Sequence, residues 1–203
     1  MMPLKSYSKE QREEVRIKLL ENALHLYSLH GIKNVRLMDI LKTVGISKPF
    51  FYTFFDSVQE FVINVIDYQW IKINDLVVEL KKDDNRSIEE KFRSLFNKLI
   101  YYRNEGYLVM TQEEEVWVRQ RISDEEYHAF MDTQVIFFEQ LLEMYHVPKG
   151  KINAKAFGNM IITTILVHNS AENSLPFIYL DVLDETAELY VDCILNYLNK
   201  VKE

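Results

Sequence analysis

Apolar residues recur at spacings of three and four along most of the chain and break off at a few glycines and polar runs, which predicts an all-helical protein of about nine helices. The first helix opens with Ser8 and Gln11 in capping-box register, and Ile17, Leu20, Leu24 and Tyr27 form its apolar face. It runs up to Gly31, where a glycine can adopt the left-handed C-cap conformation. A short helix follows from Leu37 to Val44, with Leu37, Ile40, Leu41 and Val44 on one face and Lys42 and Thr43 pointing away. Gly45 supplies a turn, and Ser47 is placed to cap a third helix. Pro49 has no N–H, so the Ser47 hydroxyl must serve the Phe50 amide, and proline is tolerated there because first-turn amides have no intrahelical partner.

Beyond this, Asp56 and Gln59 have capping-box spacing and open a long fourth helix with the stripe Val62, Ile66, Trp70, Ile73, Val77, Leu80. The polar run KKDDNRS at 81–87 reads as a joint, and helices follow near 87–104 and 107–121. Ser123 and Glu126 frame another box before a helix at 124–145, and 154–171 and 182–200 make a last pair separated by a loop around Pro176. No internal repeat, low-complexity tract or β-type alternation interrupts this pattern.

Composition supports the helical reading, with only five glycines and four prolines in 203 residues. The net charge of −7 is unevenly placed: residues 1–55 hold nine Lys or Arg against five Asp or Glu, a surplus of +4, and the remainder holds 15 against 26, or −11. Lys5, Lys9, Arg12, Arg16, Lys33, Arg36, Lys42 and Lys48 form a candidate phosphate-neutralising footprint, while the acidic remainder discourages a polyanion from lying elsewhere. The single cysteine, Cys193, excludes an intramolecular disulfide and reads as a small buried apolar residue in a reducing compartment. The segment MMPLKSYSKEQREE is too polar for a signal peptide, and the apolar run from Met160 to Val167 is too short to span a bilayer. A cytoplasmic protein with no membrane partner is expected.

Two short helices broken at Gly45 are the sequence form of a helix-turn-helix, which points to DNA. At this point the chain resembles the TetR/AcrR family of bacterial transcription regulators, on Gly31, Ile40, the Gly45-Ile46-Ser47 turn, and Phe51, Tyr52 and Phe55 in the aromatic pattern that closes the third helix. The likeness covers about the first seventy residues. Arg36 departs from the Ser or Thr that usually caps the second helix, Val58 from a Lys at the start of the fourth, and Pro49 from the commoner glycine. The resemblance implies a three-helix DNA-binding domain at 8–55, within a TetR-type region of about 13–73, joined through the fourth helix to an effector-binding and dimerisation domain at 56–203. It implies a ligand-responsive repressor that binds an inverted-repeat operator of double-stranded DNA as a homodimer, is released by a small-molecule effector through movement of the fourth helix, and needs no cofactor.

Site residues follow from the same likeness. Phe51 and Phe55 are assigned to the core, which leaves Phe50 and Phe54 for the major groove and thymine methyl groups. Lys48 is a donor to guanine or phosphate, Tyr52 and Thr53 hold phosphates, and Lys33, Arg36, Ser47 and Pro49 complete the DNA-binding set. The competing arrangement packs Phe50 or Phe54 against the first helix. For the dimer interface the candidates are Gly158, Ile161, Ile162, Ile165, Leu189, Ile194 and Leu198, with Leu166 beside them, although packing within one subunit accounts for the same residues. For the effector they are Tyr101, Tyr107, Glu113, Trp117, Tyr127, Phe137 and His168, an aromatic set with a carboxylate suited to a cationic or aromatic amphipathic ligand, against the alternative of ordinary core beneath a solvated acidic face.

Catalysis is not expected. There is no phosphate loop, nucleophile elbow or metalloprotease motif, and Glu125 with His128 is a lone E-x-x-H pair that does not define a metal site. A third reading keeps the fold but makes the head vestigial, motivated by Arg36, Val58 and the acidic balance.

Overall fold

The computed structural model describes residues 7–101, 107–108, 110–174 and 179–202, with residues 169–174 described by their backbone alone. Lys5 and the loop around Pro176 lie outside the described residues. All regular structure among the described residues is helical: α1 (Lys9–His30), α2 (Leu37–Val44), α3 (Lys48–Phe51), α4 (Val58–Lys82), α5 (Ile88–Tyr101), α6 (Gln112–Arg119), α7 (Asp124–Met144), α8 (Ala154–Ser174) and α9 (Leu183–Lys202). Single 3-10 turns at Ile32–Asn34 and Leu180–Val182 lead into α2 and α9.

Local chemistry sets most of these limits. Ser8 and Gln11 exchange hydrogen bonds at the start of α1, and Ser123 and Glu126 do the same at α7, as the spacing predicts. The box before α4 falls one residue later than Asp56–Gln59. The Ser57 hydroxyl accepts the Glu60 amide at 3.0 Å, and the Glu60 carboxylate accepts the Asp56 amide at 2.6 Å, because a serine hydroxyl and a glutamate at this spacing serve both unpaired donors. The helix expected at 107–121 begins only at Gln112, where Thr111 and Glu114 form a box of their own.

The chain divides into two compact units, Met1–Ile71 with Asn104–Arg121, and Lys72–Arg103 with Ile122–Glu203. In the first, α1 packs on α2 and α2 on α3. Its core comprises Leu19, Leu20, Ala23, Leu24 and Tyr27 of α1, Ile40 and Leu41 of α2, and Phe51, Phe55, Phe61 and Val65. Each fully buried phenylalanine here contributes about 1.5–3 kcal/mol. Ile17 is not part of this core. At 100° per residue it sits about 90° from the centre of the face defined by Leu19 to Tyr27, and it is 37% exposed. Gly31 does have a positive φ of 79°, but with ψ at 156° it is extended rather than left-handed helical, and it directs the chain into the 3-10 turn. Gly45 has the left-handed geometry, with φ 76° and ψ 32°.

In the second unit, α5 packs on α8 and α9, α7 on α8, and α8 on α9. Phe92 and Phe96 of α5, Phe137, Phe138 and Leu141 of α7, Phe157 and Ile161 of α8, and Val191, Ile194, Leu195 and Leu198 of α9 supply its core. Tyr145 is wholly buried, edge-on to Phe92 at 4.8 Å, and its hydroxyl donates to Asn199 Oδ1 at 2.7 Å. Gly158 permits the closest approach of α7 and α8, since a Cβ there would lie 2.3 Å from the Phe138 ring.

Candidate nucleic-acid interface

The helix-turn-helix is organised by α2, the Gly45 turn and α3. Ser47 caps α3, its hydroxyl accepting the Phe50 amide at 3.4 Å as the proline predicts. Phe51 and Phe55 are buried, with rings 5.1 and 4.8 Å from Phe61. They anchor the underside of the head to α4. Ser47, Lys48, Pro49, Tyr52 and Thr53 are exposed on the outer side, and Tyr52 lies edge-on to Phe51 at 5.2 Å.

Phe50 and Phe54 are not the bare rings expected from counting alone. Both are half-buried, and their rings meet edge-on at 5.0 Å. Tyr7 stacks on Phe50 at 4.8 Å, and the Arg12 guanidinium of α1 lies 4.6 Å from the Phe54 centroid and 5.8 Å from that of Phe50. Arg12 Nη2 also donates to the Thr53 carbonyl at 2.9 Å and to Thr53 Oγ1 at 3.2 Å, while that hydroxyl donates to the Phe50 carbonyl at 2.8 Å. The start of the first helix therefore covers part of both rings, and Thr53 is engaged within the protein. Arg16 is likewise engaged, donating to Asn64 Oδ1 at 2.9 Å.

The remaining footprint residues differ in availability. Lys9, Lys42 and Lys48 are exposed, and Arg36 stands at the N-cap of α2 without a side-chain capping bond. Lys33 is paired with Glu113 of α6 at 3.0 Å. Next to that pair, the buried carboxylate of Glu114 accepts the Ile32 amide at 2.5 Å and both the amide and the hydroxyl of Thr111, at 2.9 and 3.2 Å. Lys33, Gln112, Glu113, Val116, Trp117 and Gln120 line a cleft of about 330 Å³, and the Arg121 guanidinium covers the Trp117 ring at 4.0 Å.

The effector candidates are divided between the two units. Glu113 and Trp117 line the cleft of the first unit, and Tyr107 belongs to that unit without lining the cleft. In the second unit Tyr101 and His168 are brought together with ring centroids 4.9 Å apart. His168 Nε2 is 2.8 Å from Asp184 Oδ1, and its Nδ1 is buried with no hydrogen-bond partner among the described residues. Burial, and then the carboxylates of Glu188 and Asp184, push the Tyr101 hydroxyl up to about 12. Tyr127 is half-buried, edge-on to His128, and Phe137 is a core residue against Phe138.

The interface candidates also separate. Gly158, Ile161, Ile194 and Leu198 are buried within the chain, because the helical period turns them onto the faces that α8 and α9 present to their neighbours. Ile165 is half-buried. Ile162 and Leu189 are exposed, together with Leu166, Tyr190 and Tyr197, and the last two were not singled out from sequence. Cys193 is exposed rather than buried. Tyr190, Cys193 and Tyr197 recur at spacings of three and four, a signal that was available in the sequence.

The chain thus combines a helix-turn-helix with further helices, and the fold is that of the TetR-type regulators. The chain is similar to the TetR-like transcriptional regulator of Rhodococcus sp. RHA1, with a TM-score of 0.54 and 17% identity over 96% of this chain and 99% of that one. It is similar to the reduced form of NemR from E. coli, with a TM-score of 0.57 and 13% identity over 93% and 96%. In sequence it is 25% identical over 150 residues to the IcaR of Staphylococcus aureus (strain Newman), described as the HTH-type negative transcriptional regulator of the biofilm operon icaADBC, covering 71% of this chain and 77% of that protein. No family model matches the chain. Among the described residues no helix is long and apolar enough to cross a membrane.

Proposed function

We propose that this protein is a DNA-binding transcriptional repressor that recognises an inverted-repeat operator as a homodimer and is released by a small-molecule effector. The observation that carries this reading is the exposed Ser47–Lys48–Pro49 edge of α3, with Tyr52 beyond it, held on a buried aromatic base at the basic end of the chain. The exposed edge can meet phosphates and base edges, while Phe50 and Phe54 offer apolar contact to thymine methyl groups with whatever surface Tyr7 and Arg12 leave open. The description of IcaR as a negative regulator supports repression.

A two-fold dimer through the exposed Ile162, Leu166, Leu189, Tyr190 and Tyr197 of α8 and α9 places two heads on successive major grooves, with half-sites about 34 Å apart or a multiple of it. The pair Tyr101–His168 and the cleft beside Trp117 are the candidate contacts for an aromatic effector. Selection of bound duplexes from a random library, with the winner titrated at two salt concentrations, tests the reading. An inverted repeat bound with steep salt dependence supports it. No enrichment from repeated rounds, with the protein folded and dimeric, favours the vestigial head that the Lys33–Glu113 pair and the uncapped Arg36 would suit.

A further inference from the structure

We propose that Arg12 is a positioning residue for base recognition: from α1, without contacting a base, it fixes the orientation of Phe50, Thr53 and Phe54, and through them the sequence preference of the head. This rests on the DNA-binding reading above.

The argument starts from the length of α3. Four residues are too few to sustain a helix unaided, since the first turn costs more order than its bonds return. The chain then passes through the Tyr52–Phe54 turn, and the Thr53 carbonyl lies in this stretch. Arg12, 41 residues earlier, supplies the partner. One nitrogen, Nη2, reaches both the carbonyl and the hydroxyl of Thr53, and the flat guanidinium lies over Phe54 and at the edge of Phe50. Tyr7 closes the other side of Phe50.

Only arginine can do this. Its rigid, planar fork donates in its plane while its face rests on an aromatic ring, whereas a lysine ammonium is a compact point charge that can do one or the other. The guanidinium is spent on the protein, so its effect on DNA is indirect: it holds the two rings and the Thr53 hydroxyl in one arrangement. Two phenylalanines on a free turn would sample several rotamers, and a ring that meets a thymine methyl in one rotamer misses it in the next.

The test uses the full chain with Arg12→Lys and a duplex selected from a random library by the parent protein, compared with a shuffled duplex of the same length. The expected result is that R12K binds the selected duplex about tenfold more weakly while its affinity for the shuffled one changes less than about twofold, since phosphate contacts carry no sequence information. In Phe54→Leu, the further change R12K should cost less than it does in the parent, because one of the two rings it orients is gone. Parent-like selectivity in R12K overturns the proposal. So does an equal loss on both duplexes, which would make Arg12 a phosphate ligand.

Amide hydrogen exchange over residues 50–56 without DNA supplies an independent readout: exchange at least about tenfold faster in R12K supports the brace, and unchanged protection overturns it. If the parent enriches no duplex, the DNA-binding reading fails, and the exchange experiment still decides whether Arg12 braces the turn.

Discussion

Gly31 and Glu114 occupy one another's space: a Cβ on Gly31 would lie 2.7 Å from Glu114 Oε1, the same oxygen that accepts the Ile32 amide. The glycine is therefore required twice, by its φ of 79° and by the carboxylate that closes on it. Gly31→Ala should lose about 1–3 kcal/mol of stability, the cost of backbone strain at such a position. Glu114→Gln, which turns an amide N–H toward donors, should lose a similar amount through unsatisfied buried groups. Urea unfolding followed by circular dichroism measures both, and parent-like stability in either variant would show that the contact does not hold the turn.

The neighbouring Lys33–Glu113 pair should behave oppositely. Its side chains are 42% and 83% exposed, so the pair is worth less than about 1 kcal/mol to the fold. Removing the carboxylate with Glu113→Gln frees the Lys33 cation in the 3-10 turn that leads into α2. Stability should be unchanged, and affinity for operator DNA at low salt should rise a few-fold, with a steeper salt slope by up to about 0.9 for one more neutralised phosphate. An unchanged slope would mean that Lys33 does not reach the phosphates.

Gly158 makes its case by volume alone. Its Cβ would lie 2.3 Å from the edge of the Phe138 ring, so Gly158→Ala should lose about 1–3 kcal/mol by overpacking. Adding Phe138→Leu should recover part of that loss, which identifies the ring as the obstacle. Thermal unfolding of the two single variants and the double variant gives the coupling, and strictly additive losses would exclude it.

Leu189 and Leu198 lie on α9 with opposite environments, 58% and 0% exposed. If the proposed dimer forms through this face, Leu189→Glu should leave each subunit folded and give monomers in sedimentation experiments, whereas Leu198→Glu should unfold the chain by burying an unpaired charge. A dimeric L189E would move the interface off this face.

Tyr101 gives a pH dependence. The unfolded phenol ionises near 10 and the folded one only near 12, so as pH rises the unfolded state releases its proton first. The stability present below pH 10 is lost progressively as pH rises from about 10 to about 12, and Tyr101→Phe should be spared that part. Denaturant midpoints of parent and variant across the interval check it, and parallel curves would count against the burial and the two carboxylates as causes.

Much of the fold was legible because its signals are local. The limits of α2, the Ser47 cap and the boxes at Ser8 and Ser123 depend on residues within four positions of each other, and all are where the spacing puts them. The contacts that shape the site are not local. Arg12 meets Thr53 across 41 positions and Glu114 meets Ile32 across 82, and no periodicity in one segment can announce a partner in another. For the same reason nothing local separates Glu114 from the acids beside it, yet Glu114 is buried and Glu113 and Glu115 are exposed. The resemblance offers both Ile161 and Ile162 as interface candidates, but adjacent residues point 100° apart, and only packing decides which of them faces inward.

The carboxylate that finishes the Ile32 turn is synthesised 82 residues after the turn itself. The head is consequently no cassette. A chimera that grafts residues 8–55 onto a foreign body would leave the Ile32 amide with no acceptor and Gly31 with nothing to accommodate, and it should be less stable than one that carries α6 along. Exchange of reading heads between chains built this way has to take two separate pieces of sequence at once, which ties the inheritance of the front of the protein to that of its middle.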